Sequence, residues 1–382
     1  MFRTAFLAAV FLLPTAASAQ SVPPEVMEHY RTYAAEQRKD SPDRGALGDS
    51  ARAAWKAAED ALGESKLTGD LAINYAETGH VMVDGKYDPS ALEDAYKRAV
   101  ELADFYPETE RDDVRIQRQL LFAQYYLNDR GGLRQNTRRA RSLLKSVGER
   151  LDELGWTTST YLGDMHTLLA QSQLLDKRYR RVLEHTQPAY AAFERADDEL
   201  FSVQRYQLPL FEALAAKELG QDVRAGRSLQ KLVEDHYREI GLYTGPSAVA
   251  YSRWLELSEE LEDRAEEPAI ADLLSWTPPP AIGADDPAVR FPPIMPPTAE
   301  RSGWTQFSFD ILPNGRIDMK SVEVVDSTED VFIEPSRDSL KMWVYPPGMP
   351  EAERTDVKTV ITYQLSDERG KLIPSPRPSP ED

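Results

Sequence analysis

Apolar residues at helical spacing recur over about two hundred residues from Ala51 onward, and this feature constrains the fold most. Two clear stretches are Leu92 to Leu102 and Leu229 to Ile240. Turn signals at 129–132, 176–179 and 219–222 separate such stretches. The pattern therefore predicts a series of helix-turn-helix pairs.

The clearest pair is 213–229, in which small residues lead to a turn at Gly220 and a second helix follows. It resembles a tetratricopeptide repeat. Corresponding points Leu127, Leu175 and Leu219 are 48 and 44 residues apart, which is longer than the usual period of about 34. We therefore expect a degenerate tetratricopeptide-like α-solenoid over 51–265, with a concave side suited to protein partners.

The C-terminal region has a different pattern, in which apolar and polar residues alternate as in a β-strand. Trp304 to Leu312 predicts a half-buried strand, and Pro313-Asn314-Gly315 after it favours a tight hairpin turn. A second strand is predicted over Arg316 to Val325, with a bulge near Lys320.

A short helix is predicted from Pro335 to Trp343, and Pro346-Pro347 forbids its continuation. Val357 to Leu365 alternates again and predicts a last strand. The unit therefore reads β-β-α-β, and the whole chain is predicted to be an α+β multidomain protein.

Four motifs of this region, in this order, resemble the C-terminal domain of the TonB family. They are Arg301-Ser302-Gly303-Trp304, Pro313-Asn314-Gly315-Arg316-Ile317-Asp318, Phe332, and Trp343-Val344-Tyr345-Pro346-Pro347. The sequence departs from the family pattern by about two extra residues after Asp318 and by a helix end with a single basic residue, Lys341. The resemblance implies a domain over 299–368 that binds protein partners, namely segments of outer-membrane receptors or other envelope proteins.

In that family the last strand accepts an extended partner segment by β-augmentation. The resemblance carries this role to the last strand, with the alternative that a neighbouring segment or a second copy closes its edge. The candidate positions are Val357, Thr359, Ile361, Tyr363 and Leu365. Trp304 is a possible aromatic of a partner groove or else a core residue, whereas Trp343 is expected in the core.

The N-terminus has the features of a secretory signal over 1–19, with a basic Arg3, an apolar run and a small-residue cleavage site. It predicts a periplasmic location. The alternative is an inner-membrane anchor through an uncleaved segment. The apolar run is too short to span a bilayer, and no later segment predicts a membrane span. Residues 20–50 form a polar segment.

Composition limits the remaining possibilities. Residues 266–298 include a Pro-rich stretch and predict an extended linker, and the tail 369–382 predicts disorder. A formal net charge of −19 argues against nucleic acid as a partner. The sequence contains no cysteine, which excludes disulfides and thiol chemistry.

No catalytic, cofactor-binding or metal-ligating constellation is evident. The five histidines have no zinc-like spacing, and His236 fits a packing role in an apolar stripe. The acidic run Glu259 to Glu267 fits a solvated helix end better than paired catalytic carboxylates. We therefore expect a non-enzyme that needs no cofactor.

The functional prediction is a periplasmic protein-interaction protein, linked through the TonB resemblance to transmembrane transport at the outer membrane. The alternative is a tetratricopeptide-type adaptor for cell-envelope complexes with no transport role.

Overall fold

The structure is a computed structural model that describes residues 22–39, 43–78, 89–128, 136–196, 200, 202–240, 245–279 and 302–363. The predicted signal, residues 280–301 and the tail lie outside these ranges. The described part is mostly helical, with a small three-stranded antiparallel sheet near the C-terminus, which confirms the α+β layout. Within these ranges no helix has the length and apolar character that crossing a membrane requires.

Contacts divide the chain into two compact units. Met1–Asp176 makes up nearly all of the first unit, and Lys177–Ala191 with Glu199–Asp367 makes up nearly all of the second.

The first unit consists of helices packed in chain order, with a short 3-10 helix at Leu102–Phe105. The helices are α1 (Pro24–Gln37), α2 (Arg44–Leu62), α3 (Lys66–Thr78), α4 (Pro89–Glu101), α5 (Glu108–Leu127), α6 (Thr137–Leu154) and α7 (Thr160–Leu175). The segment 20–50, read as polar from the sequence, holds α1 and the start of α2. The apolar side chains Val26 and Tyr33 anchor α1 in the core, and Asp43 caps α2 by accepting a 3.1 Å hydrogen bond from the Ala46 N–H.

A charged pair lies inside the core of this unit. The Arg118 guanidinium donates to the Asp70 carboxylate and to the Ala99 carbonyl, each at 2.6 Å. Tyr106 also donates its hydroxyl hydrogen to Asp70. Burial raises the pKa of Asp70, although Tyr106 and Arg118 both oppose that shift. The ionised form of Asp70 is therefore favoured by these two partners and by the nearby charge of Lys66, and disfavoured by its burial.

The helices of the second unit are α8 (Tyr179–Arg195), α9 (Gln204–Glu218), α10 (Asp222–Ile240), α11 (Gly245–Leu261) and α12 (Pro268–Leu274). α9 and α10 form a hairpin whose turn places Gly220 at φ +69°. His236 of α10 is buried edge-on against the Tyr206 ring, with the two ring centroids 5.0 Å apart, which confirms its packing role. The sequence predicts an extended linker over 266–298, but α12 lies inside this segment. It is a packed helix because Ile270 and Leu273 are buried in the core of the second unit's helices.

The sheet consists of β1 (Gly303–Phe309), β2 (Glu323–Ser327) and β3 (Val357–Tyr363), in the order β2-β1-β3. The helices α13 (Ile333–Lys341) and α14 (Glu351–Arg354) precede β3. The main members of the sheet core come from β1, β3, α13 and the residues next to α13; they are Phe307, Phe309, Phe332, Leu340, Trp343, Ile361 and Tyr363. The core position predicted for Trp343 is thus confirmed.

The second strand is shorter than predicted and begins later. Asp318 accepts hydrogen bonds from the backbone N–H groups of Lys320 and Ser321, both at 3.0 Å, and so fixes a turn where the strand was expected. Only Arg316 and Ile317 keep isolated bridge pairings before it. The bulge falls at Val325 instead of near Lys320, since Gln306 pairs with Asp326 and the next residue of β1 pairs with Val324.

Candidate protein-interaction edge

The sheet order places β3 at one edge and β2 at the other. β3 pairs with β1 over seven consecutive residues in regular antiparallel register, from Val357 opposite Phe309 to Tyr363 opposite Gly303. No described strand pairs with the outer side of β3. The outer side of β3 therefore carries main-chain groups that the described sheet leaves without a ladder partner.

The hydrogen bonds of β1 show which residues of β3 point outward. Trp304 directs both main-chain groups toward β2: its N–H donates to the Thr328 hydroxyl at 2.8 Å, and its carbonyl accepts from the Thr328 N–H at 3.0 Å. Ile311, in the opposite phase, donates its N–H to the carbonyl of Arg354, just before β3, at 2.7 Å. Because these directions alternate along a strand, Gly303, Thr305, Phe307 and Phe309 face β3.

The register then assigns the groups of β3. Val357, Thr359, Ile361 and Tyr363 lie opposite the residues of β1 that face β3, so their N–H and C=O groups belong to the internal ladder. The outward groups belong to the alternate residues Lys358, Val360 and Thr362. The positions named from the sequence, Val357, Thr359, Ile361 and Tyr363, belong to the inward phase, and their part in partner binding stays a prediction. Leu365 lies outside the described residues.

The side chains of β3 also differ between these two sets of residues, one buried or half-buried and the other exposed. Ile361 and Tyr363 are buried, and the Tyr363 ring stacks on Phe332 with centroids 4.6 Å apart. The Tyr363 hydroxyl lies 2.8 Å from the Ser336 hydroxyl, and burial raises the pKa of Tyr363. Lys358, Val360 and Thr362 are exposed. The first group therefore holds the strand in place, and the second is available to a partner.

Trp304, proposed from the sequence as a groove aromatic or a core residue, is 7% exposed. Its place in β1 is in the opposite phase to Phe307, which lies in the core of the sheet. The indole is therefore covered in this structure and does not offer an open ring beside β3.

The two edges of the sheet differ in ways that favour β3 for pairing. β2 has five residues, is interrupted by the bulge at Val325, and carries the exposed acidic residues Glu323 and Asp326. Short length, bulges and charged side chains are the means by which proteins block strand addition. β3 has seven residues and no bulge, and Lys358 is the only exposed charged residue within the strand.

Contacts inside the second unit hold the sheet against α11. The Tyr251 hydroxyl donates to the Asn314 carbonyl at 2.8 Å, and Arg316 forms an ion pair with Glu259 at 2.9 Å. Val344 is buried among the helical core residues of α9–α12. Burial also raises the pKa of the Tyr251 phenol. The Asn314-Gly315 turn thus packs against α11 within the second unit. The candidate site for a partner is therefore the edge at β3.

In the described part of the chain, no group of three His, Asp or Glu side chains is placed to hold a metal ion. A scan against protein-family models and a search of curated proteins both find no match to this chain. The resemblance to the TonB family accordingly rests on the residue motifs alone.

Proposed function

We propose that this chain is a periplasmic protein-interaction protein of the TonB family that accepts an extended partner segment along β3. The observation that carries the proposal is the outward direction of the main-chain groups of Lys358, Val360 and Thr362 on an edge without bulge or proline. By resemblance, the partner is a segment of an outer-membrane receptor. The proposed role is binding linked to transport, without catalysis or a cofactor.

We further propose that the helical region is a tetratricopeptide-like array that carries this edge. Antiparallel neighbours such as α9 and α10, and the αL glycine of their turn, support this proposal. The proposal also explains why the sheet is docked through Tyr251 and Val344: a sheet held against helices presents its edge in a fixed direction.

The strength of such binding follows from the bonds available. Each main-chain hydrogen bond contributes about 0.5–1.5 kcal/mol net, and ordering an extended peptide costs part of this sum. We therefore expect affinities in the micromolar to millimolar range, roughly −8 to −4 kcal/mol.

Replacing Val360 with proline tests the proposal. Proline removes an N–H that points outward, so the ladder between β1 and β3 keeps its own bonds, whereas an added strand loses a donor and meets the pyrrolidine ring. We expect V360P to weaken binding of a receptor plug peptide by the full chain at least about tenfold, equivalent to about 1.4 kcal/mol. V360T keeps the N–H and should bind like the wild type.

Fluorescence anisotropy of the labelled peptide measures binding, and the melting temperature checks the fold of each variant. If V360P binds the peptide as well as V360T does, strand addition at β3 is wrong. Native partners that remain bound to V360P would instead support the adaptor function, in which the helical region holds the partner.

A further inference from the structure

Four basic side chains cluster at the start of α8, on a chain whose net charge is −19. We call Lys177, Arg178, Arg180 and Arg181 the α8 basic patch. All four residues are exposed. They lie within five consecutive positions of the turn and the first helical turn, so their charges act on one small area of surface.

Within the described part of the chain, the patch is not neutralised by its neighbours. None of its four side chains forms an ion pair with another described residue, although Glu184 follows one turn later. The preceding acidic residue, Asp176, is already held by Arg141 at 2.7 Å and by the Thr137 hydroxyl at 2.9 Å. By contrast, exposed cations of α10 and α11, such as Lys231 and Arg253, form ion pairs with carboxylates.

The position of the patch is unfavourable for the helix itself. The first turn of α8 contains no acidic residue and contains Arg180 and Arg181 instead. Cations at a helix N-terminus oppose the helix dipole, and the four like charges also repel one another. A cluster of cations that destabilises its own helix and has no ion-pair partner in the described fold is a candidate binding surface for another molecule.

We propose that the α8 basic patch is a docking surface for a carboxylate-rich segment of a partner protein. Three arginines offer planar donor groups that match carboxylates in bidentate geometry, and Lys177 adds a point charge. This inference is independent of strand addition at β3, because it concerns a different segment and a different chemistry.

The surroundings of the patch favour an acidic protein segment over a lipid surface. Docking on a bilayer normally adds an apolar side chain next to the cations. Here Val182 is buried, and Tyr179 is only half-exposed, with burial and the charge of Glu218 raising the pKa of its phenol. An anionic bilayer would also face the remainder of an acidic chain, whereas a short acidic segment contacts the patch alone.

Anisotropy of a labelled hexaglutamate peptide with the full chain tests this docking surface. The patch variant K177Q/R178Q/R180Q/R181Q is compared with R227Q/K231Q/R238Q/R253Q, which removes four exposed cations from ion pairs on α10 and α11. We expect the wild type to bind hexaglutamate but not hexaglutamine. The patch variant should bind at least about tenfold more weakly, and the control variant within about twofold. Binding should fall steeply between about 50 and 500 mM salt.

The melting temperature of the patch variant adds a second readout. Because the cations oppose the helix dipole, we expect it to be unchanged or higher. A lower melting temperature would show that the cations serve the fold and would overturn the proposal. An equal loss of binding in the control variant, no binding by the wild type, or patch-dependent binding to phosphatidylglycerol vesicles in place of the peptide would overturn it as well.

Discussion

Replacing Gly315 with alanine is expected to destabilise the sheet by about 4 kcal/mol or more. Gly315 adopts φ +84°, and a Cβ atom there would lie 2.0 Å from the carbonyl oxygen of Tyr345. That carbonyl cannot move freely, because the Tyr345 N–H donates to the Gly315 carbonyl at 2.8 Å. The same turn supplies the Asn314 carbonyl to Tyr251, so its loss should also release the sheet from α11.

Gly220 provides the matched control for this substitution. It also has a positive φ, +69°, but no atom lies within 4 Å of the position its Cβ would take. Alanine there should cost only the strain of the left-handed conformation, about 1–2 kcal/mol. Urea unfolding monitored by tryptophan fluorescence compares the two variants. Equal costs would mean that the contact between Gly315 and Tyr345 does not restrict the turn.

Replacing Arg118 with alanine is expected to cost the first unit about 3–5 kcal/mol at neutral pH. The substitution leaves the Asp70 carboxylate buried without its cation, and the Tyr106 hydroxyl alone cannot compensate for the lost hydration. Arg115 on the same helix is the control, since it pairs with Asp104 at the exposed surface. R115A should cost less than about 1 kcal/mol.

The cost of R118A should also depend on pH. Without Arg118, the pKa of Asp70 in the folded state rises further above the unfolded value of about 3.9. Well below that unfolded-state pKa both states hold the proton, and the penalty is small. At higher pH the unfolded state ionises first, and the loss of stability grows toward pH 7. A cost that stays constant between pH 4 and pH 7 would contradict the buried ion pair.

Local features of this fold could be predicted from the sequence. The Asn314-Gly315 turn, the alternation of β3 and the packing role of Trp343 depend on neighbouring residues and on simple periodicity. α1 was missed because only Val26 and Tyr33 anchor it, too few apolar residues for a periodic signal. The turn at Asp318 was missed because its capping bonds compete with strand pairing and leave no mark on the apolar pattern.

The candidate site could be predicted only in part. Alternation identifies β3 as a strand, but the direction of its main-chain groups depends on which side β1 occupies. That pairing joins residues that are 48 to 60 positions apart in the chain, from Phe309 with Val357 to Gly303 with Tyr363. The docking of Tyr251 on Asn314 spans 63 positions and was likewise beyond sequence reasoning. The cations of the α8 basic patch are visible in the sequence, but their lack of described carboxylate partners is visible only in three dimensions.

Residue-resolved amide hydrogen exchange on the full chain, without and with a receptor plug peptide, tests strand addition at β3 most directly. In the free protein, the amides of Thr359, Ile361 and Tyr363 should exchange slowly and those of Lys358, Val360 and Thr362 quickly, since only the first set bonds to β1. With the peptide, we expect protection to appear at Lys358, Val360 and Thr362. Peptide binding that leaves these three amides exchanging quickly, while protecting residues elsewhere, would contradict a partner strand on β3.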